Sequence, residues 1–276
     1  MKKIASFSVC LVCLFLLPAL VANDDHKAGE RMVLKIKDVE YAFRWCPPGK
    51  FTMGSPANER GRFDDETQHQ VALTRGFWML ETEVTQGMWE SAMGNNPSEF
   101  KGAKLPVECV SWNGCQEFVE ELNKLKVAPS GFNFSLPTEA QWEYACRAGT
   151  TTALNSGRNL SLWDIACLDL GELGWFGCQD EGKATTYAVG QKKPNAWGLY
   201  DMHGNVWEWC LDWYGGYPSG TVTDPTGAAR GSYRVLRGGS WRSLARLCRS
   251  ANRNDRDDPS YRPYFIGVRI SLVRVE

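Results

Sequence analysis

Apolar and polar residues alternate in blocks along the first half of the chain, and the spacing within each block predicts an element. Residues 33–37 and 41–45 are short and have the composition of β-strands. Between residues 111 and 126, apolar side chains recur every three or four positions, with charged side chains mostly opposite. This period predicts an amphipathic helix that covers a core, and Pro129 and Gly131 are expected to end it.

The residues around Thr138 predict the start of a second helix. Thr138 and Gln141 have the spacing of a capping box, in which each side chain satisfies a backbone amide at the helix start. Residues 54–70, and most of the chain after Gly149, mix Gly, Asn, Asp and Pro with short apolar runs. That mixture is typical of loops and short strands. We therefore expect a single α+β domain that is rich in loops.

Composition excludes several classes of protein. Of the 276 residues, 43% are hydrophobic and 12% aromatic, which suits a packed core and excludes a largely disordered chain. The 31 basic residues are balanced by 32 acidic ones, so nucleic-acid binding through bulk positive charge is not expected. The three histidines are too few for a zinc hydrolase built on several imidazoles.

The first 22 residues have the pattern of a secretory signal. Lys2 and Lys3 precede an apolar run that ends at Ala22, where cleavage is expected. The run is also long enough to span a bilayer, so an uncleaved anchor is the alternative. We expect a secreted or periplasmic protein without a stable membrane span after cleavage, with a lead-in over residues 23–40 and a domain over 41–276.

Eight cysteines follow the predicted signal, and an even number permits disulfides outside the cytoplasm. Their pairing cannot be deduced from the sequence, and several could equally be buried thiols. None of the eight forms a Cys-x-x-Cys pair, so no zinc ribbon or thioredoxin-type redox site is indicated. They are Cys46, Cys109, Cys115, Cys146, Cys167, Cys178, Cys210 and Cys248.

The segment 194–209 concentrates side chains that could bind a cation. Asp201 and Glu208 offer hard oxygen ligands, and Gly204 and Asn205 favour a tight turn that could present carbonyl oxygens between them. Calcium takes six to eight such oxygens, so a structural calcium site is one interpretation. A hydrogen-bonded turn between two Trp-rich strands is the other. His203 is interpreted as a hydrogen-bonding residue of the turn.

Residues 231–276 contain ten arginines and no lysine. The rigid guanidinium fork suits carboxylates, so the bias indicates specific pairing. One interpretation is internal salt bridges with acids such as Asp255, Asp257 and Asp258. The other is a basic groove lined with Trp side chains that binds an anionic or peptide ligand.

Six motifs, taken in order, resemble the formylglycine-generating enzyme (sulfatase-modifying factor) family over residues 41–271. The resemblance implies a single domain with the α+β fold of that family, a loop-rich variant of the C-type-lectin-like fold stabilised by calcium. The family's enzymes use copper and oxygen to convert a cysteine of sulfatases to formylglycine. The motifs are PPGKFTMGS (47–55), EVT (83–85), PVECVSW (106–112), LPTEAQWEY (136–144), GLYDMHGNVWEW (198–209) and RGGSW (237–241).

The resemblance also assigns roles to single residues. Copper(I) is held in the family by two cysteines after the Gly-Gly-Ser motif; Cys248 matches the second, whereas Ser243 replaces the first. A hydroxyl is a poor ligand for this soft ion, so the oxidase chemistry loses half of its metal site. Trp207 and Ser240 match residues that shape the family's oxygen pocket. If catalysis occurs, Cys248, Ser240 and Trp207 are the expected catalytic residues, with copper on Cys248.

The family's calcium site matches four residues of the segment described above. Asp201 and Glu208 would bind through their side chains, and Gly204 and Val206 through their carbonyl oxygens. Calcium is therefore the expected structural cofactor, and copper is expected only in an active oxidase.

Residues 234–269 also resemble the variable region of diversity-generating retroelement proteins, which display mutagenised residues on a C-type-lectin surface for ligand binding. We expect a monomeric binding module for a peptide or protein ligand, with sulfatases among the candidate partners and a formylglycine-generating oxidase as the alternative. The expected ligand surface consists of Trp241, Arg242, Leu244, Arg256, Tyr261, Tyr264 and Phe265.

Overall fold

The computed structural model describes residues 26–162, 167–177, 184–254 and 258–275. The predicted signal peptide lies outside these residues. No helix within the described ranges combines the length and apolarity needed to cross a membrane. The elements in chain order are β1 (Arg31–Ile36), β2 (Val39–Cys46), β3 (Gly49–Met53), β4 (His69–Leu73), β5 (Phe77–Leu80), α1 (Gln86–Met93), α2 (Trp112–Lys124), β6 (Phe132–Ser135), α3 (Glu139–Arg147), α4 (Leu168–Gly171), β7 (Trp207–Trp213), β8 (Thr221–Thr223), β9 (Arg234–Arg237), β10 (Ile266–Gly267) and β11 (Ser271–Arg274), with a 3₁₀ helix at Ala245–Cys248.

The two strands predicted first form a tight hairpin. Lys37 and Asp38 connect β1 to β2 with φ angles of 47° and 68°, the left-handed pair that a two-residue hairpin turn requires. β1 lies inside the range 23–40 that was expected to be a lead-in. The sheet therefore begins at Arg31, ahead of the predicted boundary at residue 41.

Three sheets organise the domain. The largest is antiparallel with the strand order β1-β2-β5-β11-β6, so the last strand of the chain lies at its interior between β5 and β6. Two three-stranded sheets have the orders β10-β7-β9 and β3-β4-β8. Long-range pairing of this kind places residues from both ends of the chain around one core.

The helices begin where the sequence predicts. Ser111 caps α2, and its apolar stripe of Cys115, Phe118, Val119 and Leu122 is buried, which confirms the amphipathic helix. α3 begins with the predicted capping box, in which both side-chain bonds form. α1 was not predicted; its apolar face is short and consists of Met88, Trp89, Ala92 and Met93.

The interior contains three apolar clusters. The first two lie among the strands and helices around Trp45, Trp209 and Trp142. The third, which we call the Cys248 cluster, is smaller and joins the 3₁₀ helix to the loops before and after α4. Its members are Ala153, Leu154, Leu160, Cys167, Leu170, Leu173, Phe176, Ala245 and Cys248.

Candidate functional site

The two motifs that carry the expected site lie against each other. The amide of Gly204 donates to the carbonyl of Gly238 at 2.8 Å, and the amide of Trp241 donates to the carbonyl of Asn205 at 2.8 Å. Backbone hydrogen bonds therefore fix the turn 201–206 against the turn that follows β9. Both turns flank the sheet β10-β7-β9, which carries Trp207 at the first position of β7.

The position of the missing copper cysteine is occupied by a hydrogen-bonded hydroxyl. Ser243 Oγ accepts from the amide of Ser240 at 3.0 Å and lies 3.0 Å from the hydroxyl of Ser240. The amide of Ser243 in turn donates to the carbonyl of Ser240 at 2.9 Å. The two serines thus close a local turn with each other.

Cys248 is fully buried in the Cys248 cluster, and burial raises the pKa of its thiol well above the usual range. Ser243 supplies a hydroxyl, which is a poor ligand for copper(I), so Ser243 and Cys248 do not supply the pair of thiolates expected from the family resemblance.

Trp207 lines a different space from Cys248. It is 6% exposed and forms part of the wall of a cavity of about 620 Å³, together with Leu247 and Asn252. Asn252 is 1% exposed, and its Oδ1 is buried without a hydrogen-bond partner within the described ranges. Leu247 lines this cavity with Trp207, whereas Cys248 packs into its own cluster beside the backbone of Ser240.

The expected calcium ligands lie in a buried, acidic region. Asp201 has a φ of 56°; its Oδ2 accepts from the amide of Gly190 at 2.6 Å, while Oδ1 is buried without a partner in the described part of the chain. Glu208, in contrast, has hydrogen-bond partners on both carboxylate oxygens. Both of its oxygens accept from Arg269, and Oε2 also accepts from Trp142 Nε1 at 2.6 Å.

Three buried acids, Glu83, Asp201 and Glu208, lie in the field of Arg269, and Lys192 also faces Asp201. Burial, together with repulsion from neighbouring carboxylates, raises the pKa of Asp201 to about 6 and that of Glu83 well above its usual range. Such an excess of negative charge with an orphaned Asp201 oxygen suits a cation. Among the described residues, however, no three His, Cys, Asp or Glu side chains are grouped to hold a metal. Asp201 therefore keeps one buried oxygen without a partner among the described residues, whereas both oxygens of Glu208 are occupied by Arg269.

His203 connects this turn to the Cys248 segment. Its Nδ1 lies 2.6 Å from the carbonyl of Cys248, and its Nε2 accepts from the amide of Asn155 at 3.1 Å. The carbonyl requires a proton on Nδ1 and the amide requires a lone pair on Nε2, so the ring is the neutral Nδ1–H tautomer. Burial lowers the pKa of His203 to about 4. The interpretation of His203 as a hydrogen-bonding residue is confirmed.

This histidine predicts a loss of stability in acid. The folded ring stays neutral down to pH 4, whereas the unfolded ring takes up a proton below about pH 6.5, so stability is lost as pH falls through that window. At pH 4.5 the loss is about 2–3 kcal/mol. Urea unfolding at pH 7 and pH 4.5 should show this decrease in unfolding free energy for the wild type, and a smaller decrease for His203→Gln. An equal decrease in both proteins would contradict the assignment.

The expected ligand surface is partly assembled. Arg242 is exposed, donates from Nη1 to the hydroxyl of Tyr264 at 2.9 Å and lies with its guanidinium carbon 5.1 Å from the Phe265 ring centre. The ring of Phe100 lies 6.1 Å from that of Tyr264. We call Phe100, Arg242, Tyr264 and Phe265 the aromatic–arginine face.

Other members of that surface differ from expectation. Trp241 is only 2% exposed, so it supports the face by packing at 6.1 Å from Tyr264 and is not itself an exposed contact. Leu244 is half-buried, and Tyr261 is 45% exposed. Arg256 lies outside the described residues. Phe100 was missed because it precedes the other three by more than 140 positions.

Most of the C-terminal arginines with described ion pairs are buried in the protein, which agrees with the interpretation of this arginine-rich segment as a source of internal salt bridges. Arg237, Arg249 and Arg269 are fully buried, and each pairs with a carboxylate. The partners are not the nearby aspartates. They are glutamates far along the chain, such as Glu66 for Arg249, while Asp258 accepts from Ser260. Asp255 and Asp257 lie outside the described residues.

The seven cysteines among the described residues are unpaired thiols. Cys178 lies outside those residues. Cys146 shows how such a thiol is held, since it is fully buried 3.5 Å from the Ser250 hydroxyl and 3.9 Å from His203 Nε2.

Comparison with known proteins identifies related chains. A family model, the sulfatase-modifying factor enzyme 1-like domain, matches residues 37–274. The serine/threonine-protein kinase pkn1 of Chlamydia pneumoniae is 37% identical over 170 residues, which are 57% of this chain and 22% of the kinase. The formylglycine-generating enzyme of Streptomyces coelicolor is 35% identical over 150 residues, which are 49% of this chain and 42% of the enzyme. The matches therefore span less than half of either relative.

A solved structure extends the likeness to nearly the whole domain. Variable protein 1 of Treponema denticola superposes with a TM-score of 0.77 at 30% identity, covering 87% of this chain and 98% of that protein. This confirms both the α+β, C-type-lectin-like fold class and the resemblance to a variable protein.

Proposed function

The chain belongs to the sulfatase-modifying factor enzyme 1-like family, and from that premise we propose that it is a ligand-binding member without oxidase activity. The observation that carries the proposal is the state of the two copper positions. Ser243 is a hydroxyl bonded to Ser240, and Cys248 is a buried thiol in an apolar cluster. Soft thiolates bind copper(I), and this pair of residues does not supply two of them.

The aromatic–arginine face is the surface that we propose for the ligand. Aromatic side chains and arginine dominate the energetics of protein recognition because they combine large contact area with directional hydrogen bonds. Arg242 and Tyr264 are both exposed and held by one hydrogen bond, so the face is ordered before a ligand arrives. A peptide or protein segment with an acidic or carbonyl group opposite Arg242 would suit it.

Two measurements on the purified protein test this function together. A Cys-x-Pro-x-Arg peptide incubated with copper(I) and air is expected to keep its mass, whereas conversion of its thiol to an aldehyde would make the protein an oxidase. A displayed random peptide library should yield binders, and Arg242→Ala should weaken them about tenfold or more. Arg262→Ala, an exposed arginine of the same segment, is the matched control. Binders that respond equally to both variants would place the site elsewhere.

Diversification by a retroelement is a narrower form of the same proposal. It is supported by the TM-score of 0.77 with variable protein 1 and by the C-terminal pattern of residues 234–269. A reverse-transcriptase gene beside this one, with a near-identical template repeat, would establish it. A genome without either feature would rule it out.

Oxidase activity is the second candidate, and one observation favours it. Cys167 belongs to the same buried cluster as Cys248, so a second thiol is present near the first even though Ser243 is not one. Copper(I) titration of the wild type and of Cys167→Ser would test this pair directly. Copper(I) binding that is present in the wild type and lost in Cys167→Ser would support the oxidase. If the wild type binds no copper(I), the proposal of a ligand-binding member stands.

We also propose calcium at the turn 201–206, supported by the orphaned Oδ1 of Asp201 and the acidic charge around it. Calcium at a hundred times its dissociation constant is expected to stabilise the protein by about 2.7 kcal/mol. Melting curves with calcium and with a chelator should show the difference in the wild type and lose it in Asp201→Asn. Asp258→Asn, an exposed aspartate, should keep it.

The proposed location is outside the cytoplasm, on the strength of the N-terminal pattern of Lys2, Lys3 and the apolar run that follows. Mass spectrometry of the exported protein is expected to find Asn23 as the first residue. An intact N-terminus in the membrane fraction would instead indicate an anchor.

A further inference from the structure

A second cavity, of about 240 Å³, lies apart from the aromatic–arginine face. Its walls come from α3, from the end of β7 and from the loops 215–218 and 225–228. We call it the Asp212 cavity, after the carboxylate at its wall. It shares no lining residue with the aromatic–arginine face. The volume is room for about eight water molecules, or on the order of ten non-hydrogen atoms.

Two buried side chains that line the cavity retain a polar atom for a ligand. Asp212 is 3% exposed, and within the described ranges its hydrogen bond to another residue uses Oδ2, which accepts from the amide of Glu139 at 2.8 Å. His69 is 6% exposed, and its hydrogen bond uses Nδ1, 3.2 Å from the carbonyl of Thr67. Oδ1 of Asp212 and Nε2 of His69 are the remaining atoms.

The charged side chains around Asp212 have their direct contacts with other groups. Glu139 is held by both Nε and Nη2 of Arg253, at 2.8 and 2.7 Å. Arg234 stacks over the Trp213 ring at 3.5 Å and donates to the carbonyl of Leu211. Among the ion pairs of the described residues, Asp212 therefore has no partner, although it is buried. A buried carboxylate without a direct ion-pair partner is costly. Arg253 and Arg234 offset that cost only from a distance, and a ligand cation would reduce it further.

Apart from Asp212, His69 and the Glu139–Arg253 ion pair, the lining is glycine, apolar or aromatic. Tyr217 stacks on His69 with 4.6 Å between ring centres and donates its hydroxyl to Glu139 at 3.0 Å. Met53 and Pro225 contribute apolar surface. A ligand that fits these walls carries one charged group on a compact hydrocarbon body.

We propose that the Asp212 cavity binds a small organic ammonium ion, whose N–H donates to Oδ1 of Asp212 while its apolar body packs between Met53 and Tyr217. Nε2 of His69 offers a second hydrogen bond to a polar substituent. A hydrogen bond between an ammonium and a carboxylate is among the stronger ones in proteins, so a neutral analogue is expected to bind more weakly.

The binding is expected to depend on pH. Burial, with repulsion from Glu139 as the next cause, raises the pKa of Asp212 to about 7. An ammonium ion binds the ionised carboxylate, so affinity rises between pH 6 and pH 8. The other charged or titratable groups that face Asp212 are His69 on β4, Cys210 on β7, Tyr217, Arg234 on β9, and Arg253.

The test compares 2-phenylethylammonium with its neutral isostere 2-phenylethanol, by calorimetry on the full chain. At pH 8 the ammonium is expected to bind at least about tenfold more tightly than the alcohol. Asp212→Asn should make the two probes equal, and lowering the pH to 6 should weaken only the ammonium. Arg242→Ala should change neither, which separates this cavity from the proposed ligand face.

Three outcomes would overturn the proposal. They are no binding of the ammonium at millimolar concentration, equal affinity for both probes in the wild type, and unchanged selectivity in Asp212→Asn. Should Asp212→Asn fail to fold, Ala228→Leu fills the cavity from its wall and is expected to weaken both probes. Unchanged binding in Ala228→Leu would place the probe elsewhere and overturn the assignment equally.

Discussion

Replacing Arg269 with alanine is expected to lower the free energy of unfolding by about 3–5 kcal/mol, because buried acids would be left without a counter-charge. Arg269 is fully buried. It holds both oxygens of Glu208 and donates to the carbonyls of Leu80 and Tyr200, at 3.0 and 2.8 Å. One side chain thus joins β5, β7 and the turn before the expected calcium ligands. Glu83 is a further buried acid in its field.

Urea unfolding at pH 7.5 measures the loss, and the expected decrease in melting temperature is roughly 10 °C. Arg230→Ala, an exposed arginine, should stay within about 0.5 kcal/mol of the wild type. At lower pH, the difference in unfolding free energy between the wild type and Arg269→Ala should become smaller. Burial raises the pKa of Asp201 to about 6, and protonation of Asp201 removes part of the uncompensated charge. A loss that is small, or that grows on lowering the pH to 5.5, would contradict this account.

Gly174→Ala is expected to destabilise the protein by about 3–5 kcal/mol through a clash with backbone. A Cβ at residue 174 would lie 1.4 Å from the carbonyl oxygen of His203 and 2.6 Å from its carbonyl carbon. The obstructing atoms are backbone atoms, so one of the two loops must move. The loop after α4 packs here against the turn 201–206, where a Cβ on Gly204 would lie 2.0 Å from the carbonyl oxygen of Trp175.

The matched control is Gly216→Ala, since a Cβ there meets no atom within 4 Å and the residue is not in the left-handed region. It should be neutral or slightly stabilising, as the unfolded chain loses freedom. Chemical unfolding of both variants gives the comparison. Because the clash displaces the turn that contains Asp201, Gly174→Ala should also lose any calcium-dependent rise in melting temperature. Equal stability of the two variants would contradict the close packing of these loops.

Local elements were predictable because their causes lie within a few residues. The capping box of Thr138 and Gln141 and the apolar stripe of α2 depend on spacings of three and four, which the sequence displays directly. The turn at Lys37 and Asp38 was not predicted, since neither residue is the glycine that usually marks it. The strand composition of residues 33–37 was recognised, but its pairing with the next strand was not, so the sheet begins ahead of residue 41.

The sequence predicted which residues belong to the candidate site better than it predicted how those residues are arranged in space. Motif matching identified Ser243, Cys248 and Trp207. It could not show that Cys248 packs into an apolar cluster while Trp207 lines a separate cavity. Phe100 and Glu83 were missed as partners because each reaches its site from a distant segment.

The sequence by itself determined the family and the α+β class, and it placed Ser243 where the resemblance expects a cysteine, because these depend on residue identity and short spacing. Only the tertiary structure decided which acids the buried arginines meet. Arg249 pairs with Glu59 across 190 positions, and Arg269 with Glu208 across 61. The physical reason is that burial, ionisation and the shape of a cavity are set by the segments that surround a side chain. Those segments become neighbours only when the strands from both ends of the chain pair in one sheet.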